Sequence, residues 1–288
     1  MSAAPLPNFL VIGAQRSATS WLYFCLKEHP DVYVPYIKEV RYFSDYYANG
    51  PEWYARYFSQ WSGQMAVGEV TPNYLYREGT AERIAKDLPG AKLIVTLRDP
   101  VERAYSQYKK HVRAGLTLSF EESLEKDPEY TERGLYLGQL LRYEHLFPKK
   151  NILILFYEDI QKDPKHHMKR ILEFIGVDAS NVPPSTIKII PSEELASGLY
   201  KHTSRVSGFL RNRLGMAPLV DAVKRSKLMP AIDRMLYRFG PKAKGKNGTT
   251  AREASSMRPE TREKLKRTFE PENRRLAEHL GRDLGFWK

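Results

Sequence analysis

The hydrophobic residues of this chain come in short solid runs separated by stretches of helical period. Phe9-Leu10-Val11-Ile12 is the first run, and Gly13 ends it. After a small polar stretch, Trp21, Leu22, Phe24, Cys25 and Leu26 recur at helical spacing, so the pattern predicts strand, loop and helix. Val32-Tyr33-Val34 reads as a short strand closed by Pro35, and residues 91–97 (AKLIVTL) and 151–156 as two further strands. Helical patterns cover residues 80–88, the stretch after Pro100, and residues 134–146, 164–175 and 259–280. Residues 69–76 (EVTPNYLY) read as a turn after Val67 and Gly68, and three prolines in 182–191 mark a linker or loop. Strands alternating with helices predict an α/β fold: a P-loop-like central parallel sheet with helices on both faces. Residues 1–288 read as one domain, within which 200–248 form a basic segment and loop, a lid or substrate-facing insertion.

Composition adds three constraints. With 288 residues and 42 % hydrophobic content the chain can bury a full core. The single cysteine, Cys25, lies inside a helical pattern, which excludes an internal disulfide and predicts a buried apolar role in a reducing compartment. No apolar run approaches the roughly eighteen residues of a membrane helix, and no basic leader opens the chain, so a soluble cytoplasmic protein is expected. The formal net charge is +12, and residues 201–246 carry twelve lysines and arginines against Asp221 and Asp233. Such a block suits a polyanion or an anionic membrane surface contacted peripherally; it also fits a solvated basic face. Leu219, Val220, Val223, Leu228, Ile232 and Leu236 recur there at helical spacing, as core, lid or interfacial face.

The candidate chemistry starts at the first loop. A strand–loop–helix turn points backbone N–H groups and a helix N-terminus at one spot, which suits a phosphate or similar anion. Arg16 adds a fixed cation, and Ser17, Thr19 and Ser20 add hydroxyls. Against the Walker A pattern, counted from Gly13, Ala18 stands at the second glycine and Thr19 at the lysine, and no acidic strand end offers to hold magnesium. Arg98 follows the 91–97 strand directly, Pro100 opens a helix, and Ser106 lies two turns into it. Since ligands of open α/β sheets bind at the carboxyl ends of strands, Gly13 and Arg98 are expected to face one crevice. The aromatic cluster Tyr42, Phe43, Tyr46, Tyr47, Trp53, Tyr54, Tyr57, Phe58 and Trp61 reads as packing under a loop or as an acceptor pocket. His166-His167 on a charged helix is expected to be solvent-exposed, and no metal-ligand spacing occurs.

The motifs GAQRSATSWLY, KEVRYFS, EVTPNYLY, LRDPVERAYSQY and KAKGK, in that order, resemble those of sulfotransferases that use 3′-phosphoadenosine 5′-phosphosulfate (PAPS). The nearest pattern is the branch of the heparan sulfate enzymes and their bacterial relatives. The resemblance runs from Phe9 to about Tyr157 and resumes weakly from Lys242. It implies that Gln15, Arg16, Ser17, Ala18, Thr19 and Ser20 hold the 5′-phosphosulfate, that Arg98 and Ser106 grip the 3′-phosphate, and that Lys244, Gly245 and Lys246 close over the nucleotide. It further implies Glu39 as general base, Arg16 as stabiliser of the leaving group, and no metal.

The residues taken alone leave alternatives open. Glu39 is a base or a carboxylate paired with Lys38 or Arg41; Arg98 is a phosphate ligand or the cap of a strand end. Arg16 replaces the lysine usual in the heparan branch, while Val70 and Arg41 replace its acceptor-facing lysine and its histidine or glutamine, which points away from a heparan-like acceptor. The expected activity is sulfuryl transfer to a hydroxyl of a carbohydrate, glycolipid or small natural product, with no nucleic-acid partner. The alternatives are a P-loop kinase or nucleotide hydrolase, and a non-catalytic binder of polyanions or membrane surface.

Overall fold

β1 (Phe9–Gly13) is buried on both faces and sits at the centre of a five-stranded parallel sheet. Its partners are β3 (Ala66–Val70) on one side and β4 (Lys92–Leu97) on the other; β2 (Val32–Tyr33) and β5 (Ile152–Phe156) form the edges, giving the order β2-β3-β1-β4-β5. The computed structural model describes residues 5–183, 186 and 256–287. The period of two along β1 sorts its side chains between two cores. Leu10 and Ile12 join Leu93, Val95 and Leu97 on one face, whereas Phe9 and Val11 join Ile94 and Leu155 on the other.

Helices cover both faces, as the alternating pattern predicts. α1 (Thr19–Glu28) packs Trp21, Leu22, Cys25 and Leu26 onto one face, together with Met168, Ile171 and Leu172 of the 164–175 helix. The other face is covered by Ile84 of the 80–87 helix, Tyr136, Leu140 and Tyr143 of the 136–146 helix, and Leu276 of the C-terminal helix. Cys25 is fully buried, and burial pushes its thiol up to about 12. The aromatic cluster is packing: Tyr42 stacks on Tyr54 at 4.4 Å between ring centres, and Phe43 and Phe58 are fully buried.

Local chemistry explains the element ends. Asp99 accepts from the N–H groups of Val101 (2.8 Å) and Glu102 (3.3 Å), and Pro100 occupies the first turn, so the helix Pro100–Arg113, here α2, starts abruptly after β4. Asp163 caps the 164–175 helix in the same way through the His166 N–H. In the connection before α2 a tryptophan near the C-terminus also takes part: Trp287 Nε1 donates to Glu158 (3.2 Å), whose other oxygen accepts from the Asp99 N–H (2.9 Å).

Two expectations are corrected. Residues 69–70 are not a turn but the end of β3, since Ala66–Val70 is a fully buried strand in register with β1. The sequence hides it because a glycine and a glutamate interrupt the apolar run. Gly68 is required there, because a Cβ would lie 2.4 Å from the Phe9 ring, and Glu69 is tolerated because three hydroxyls satisfy it. His167 is buried rather than solvent-exposed, because Met168 and Ile171 turn that side of the helix into the core; only His166 is exposed. Short helices at Tyr42–Asp45, Gly50–Ala55, Phe120–Lys126, Glu129–Glu132 and Tyr157–Lys162 add to the predicted set. The 200–248 segment and most of the 182–191 linker lie outside the described residues.

Candidate active site

The loop after β1 is held to β4 by backbone contacts. Ala14 N–H donates to the Thr96 carbonyl (2.8 Å), and Thr96 Oγ1 lies 3.2 Å from the Gly13 carbonyl and 2.6 Å from that of Ser17. Arg16 and Ala18 take left-handed backbone conformations, φ 70° and 63°, which turn the loop into the start of α1. Among the described residues no side chain caps α1, and its first turn carries no acidic residue, so its N–H groups and positive dipole end suit an anion. Gln15 and Ser20 are half-buried beside them, Thr19 is buried in the first turn, and the buried Ser17 hydroxyl has no hydrogen-bond partner among the described residues.

The two strand ends meet through their arginines. Arg98 Nη1 donates to the Arg16 carbonyl at 3.0 Å, and Arg16 Nε donates to Ser106 Oγ at 3.0 Å. The Arg98 guanidinium lies 4.4 Å from the centre of the Tyr157 ring, and Tyr136 donates to the Arg98 carbonyl (2.8 Å). Both arginines are therefore fixed at the carboxyl ends of adjacent strands, where a bidentate donor meets a phosphate best. Arg103, one turn before Ser106, is fully buried; it donates to Gln107 (2.7 Å) and to the Tyr130 carbonyl, and burial pulls its pKa down to about 10.

Glu39 stands in the connection after β2. Its carboxylate is 3.7 Å from Lys38 Nζ, an ion pair longer than a hydrogen bond, and its side chain is 26 % exposed. Burial pulls the Lys38 ammonium down, opposed by Glu39 and reinforced by Lys110 and Arg16. Lys110 is lowered by partial loss of water and then by Arg16, with Glu39 acting the other way. Lys38 is thus the cation paired with Glu39, and its ammonium is in turn perturbed by Lys110 and Arg16. Lys38 is one of the two partners the sequence offered for Glu39; Lys110 was not singled out, and the available signal is its position one helical turn after Ser106. Lys244, Gly245 and Lys246 lie outside the described residues.

Behind Glu39 is a second carboxylate that sequence reasoning missed. Glu69, at the end of β3, is 1 % exposed and accepts from Tyr74 (2.7 Å), Tyr54 (2.8 Å) and Thr71 (3.1 Å). Burial pushes its pKa to about 7, against the three hydrogen bonds and with a smaller push from Glu39.

Family comparison bears on what this site is for. The sulfotransferase domain matches residues 6–204, which contain the loop, Glu39, Arg98 and Ser106. The chain belongs to the sulfotransferase family. A crystal structure of a sulfotransferase from Alicyclobacillus acidocaldarius superposes with a TM-score of 0.71 at 27 % identity, covering 98 % of this chain and 99 % of that one. The membrane-associated sulfotransferase kil1 of Dictyostelium discoideum is 42 % identical over 155 residues, 50 % of this chain and 32 % of kil1. The human bifunctional heparan sulfate N-deacetylase/N-sulfotransferase 3 is 32 % identical over 196 residues, 60 % of this chain and 22 % of that enzyme. The chain thus spans a third or less of the length of these two relatives. Membership in the sulfotransferase family makes the chain an enzyme of sulfuryl transfer.

The raised pKa of Glu69 gives this sulfotransferase a pH-dependent stability with a definite sign. Below the ordinary carboxylate value of 4.5 the residue is neutral folded or unfolded; between 4.5 and about 7 the unfolded chain loses the proton while the fold retains it. Stability therefore falls as pH rises through this window, by up to about 3 kcal/mol, and levels off above it. Urea melts of the parent and Glu69→Gln at pH 5 and pH 7.5 check this: the parent is expected to lose stability relative to the variant at the higher pH, and parallel changes in the two would contradict it.

Proposed function

We propose that the chain transfers a sulfuryl group from PAPS to a hydroxyl of a carbohydrate, glycolipid or small natural product. The observation that carries this reading is the meeting of Arg16, Arg98 and Ser106 at the adjoining ends of β1 and β4, with Glu39 paired to Lys38 at 3.7 Å. The donor set suits a nucleotide with two phosphate groups: among the described residues, an uncapped helix start, a buried unpaired Ser17 hydroxyl and two fixed arginines. PAPS supplies an activated sulfuryl group on a nucleotide phosphate.

In this reading the backbone and hydroxyls of Gln15–Ser20 hold the 5′ end of the donor, while Arg98 and Ser106 hold the 3′-phosphate. Arg16 places positive charge at the oxygen on which negative charge develops as the nucleotide leaves. Glu39 orients the acceptor hydroxyl and takes its proton as the oxygen attacks in line. Lys38 Nζ stands 3.7 Å from the Glu39 carboxylate. Lys244, Gly245 and Lys246 are assigned to closure over the nucleotide by resemblance alone. The heparan sulfate relative has by its name a carbohydrate acceptor sulfated on nitrogen, which supports the carbohydrate class here and leaves the hydroxyl to the proposal. The basic segment 201–246 is the part proposed to touch an anionic surface, as the name of the membrane-associated relative kil1 suggests.

The test is release of adenosine 3′,5′-bisphosphate from PAPS in the presence of hydroxyl acceptors. Acceptor-dependent release coupled to a sulfated product is expected from at least one acceptor class. Transfer that requires ATP and magnesium in place of PAPS would overturn the reading.

A further inference from the structure

Glu69 lies on the core side of the segment that carries Glu39, and its three hydroxyl donors lead back to that segment. Thr71 Oγ1 donates to Glu69 Oε2 (3.1 Å) and accepts from the Arg41 N–H (3.4 Å). Tyr74 Oη donates to Glu69 Oε1 (2.7 Å) and accepts from the Phe43 N–H (3.3 Å). Tyr54 Oη donates to the same oxygen (2.8 Å), and its ring stacks on that of Tyr42 at 4.4 Å. One buried carboxylate is therefore connected to three consecutive residues, Arg41, Tyr42 and Phe43, which begin two positions after Glu39.

The local backbone has need of such support. Arg41 has φ 62°, a left-handed conformation that costs a residue with a side chain free energy and persists only where the surroundings hold it. Its side chain pairs with Asp45, and its backbone N–H is held by Thr71. A hydroxyl that donates to the buried carboxyl is polarised toward accepting a second bond, so the Thr71 and Tyr74 relays are stiffer than isolated hydroxyl contacts.

We propose that Glu69 is a positioning residue of this sulfotransferase: acting through Thr71, Tyr74 and Tyr54, it fixes the backbone of residues 41–43 and thereby the placement of Glu39 in the cleft. Glu69 itself is buried and meets no acceptor. The proposal rests on the reading of Glu39 as the base.

The test uses Thr71, because it carries one relay and has a conservative variant. Thr71→Val removes the hydroxyl at nearly constant volume, and Thr71→Ser restores it. The valine variant is expected to lower kcat about tenfold, a misplacement effect, with the affinity for adenosine 3′,5′-bisphosphate unchanged and faster hydrogen exchange at the Arg41 amide. The serine variant is expected to return both kcat and exchange to the parent values. A residue that only filled space would not separate valine from serine in this way. Parent-like kcat and Arg41 exchange in Thr71→Val, with Glu39→Gln inactive, would overturn the brace and leave the base in place. If Glu39→Gln is active, the base is wrong, and the Arg41 exchange rate still decides whether Thr71 holds the segment.

Discussion

Glu39→Gln is expected to reduce kcat by about 10²–10⁴-fold, the usual contribution of a positioned general base, with the affinity for adenosine 3′,5′-bisphosphate at the parent value. Glutamine keeps the shape of the side chain but cannot take the proton of the attacking hydroxyl. The magnitude separates this role from the structural one. Glu39 is also the ion-pair partner of Lys38, at 3.7 Å and partly exposed, and loss of such a pair costs about 0–1 kcal/mol of stability with no direct effect on turnover. Steady-state kinetics with calorimetric titration of the bisphosphate check both halves of the expectation. A kcat near the parent's would mean that the carboxylate is only a salt-bridge partner.

Arg98→Ala acts on binding. Removal of a charged, two-pronged contact to a phosphate costs about 1.5–3 kcal/mol, or roughly a 10–150-fold weaker affinity. Arg98 also holds the Arg16 carbonyl at 3.0 Å, so the loop arginine loses part of its support and the larger end of that range is expected. Arg98→Lys keeps the charge but not the planar fork, which also lies over the Tyr157 ring, and recovers only part of the loss. Calorimetry with adenosine 3′,5′-bisphosphate measures these differences. An unchanged affinity in Arg98→Ala would remove the 3′-phosphate from this position.

Legibility in the sequence followed how local the signal was. β4 and α2 stand out because Leu97 is followed at once by Arg98, the Asp99 cap and Pro100, three residues that mark a strand end and a helix start. The helices at Pro164–Ile175 and Pro259–Leu280 were equally clear, with proline at the start and glycine after the end. β3 was not, because its last two positions are a buried glutamate and a valine followed by Thr-Pro, and the burial of Glu69 depends on Tyr54 from a separate short helix. No window of sequence contains that pairing. The same reason hid the bond network behind Glu39, in which Arg41 and Thr71 meet across thirty positions. His167 shows the converse error: two adjacent histidines look alike in a charged helix, yet a helical turn sends one to solvent and its neighbour against Met168 and Ile171.

The sheet order gives the site its place. β1 lies between β3 and β4, and the chain runs to the β2–β3 side before it crosses to β4. The carboxyl ends of β1 and β4 therefore diverge at a switch of direction, and a loop with an open helix start fills the gap. Glu39 arrives from the β2 side and Arg98 from the β4 side, so the proposed base and the proposed phosphate ligand approach the same loop from opposite directions.

The most direct measurement of the central claim is calorimetric titration of the protein with adenosine 3′,5′-bisphosphate, with ATP plus magnesium as the comparison ligand. The account predicts micromolar binding of the bisphosphate without added metal, and little binding of ATP. Tight, magnesium-dependent binding of ATP with none of the bisphosphate would contradict it, and would reassign the loop from Gly13 to Ser20 to phosphoryl chemistry.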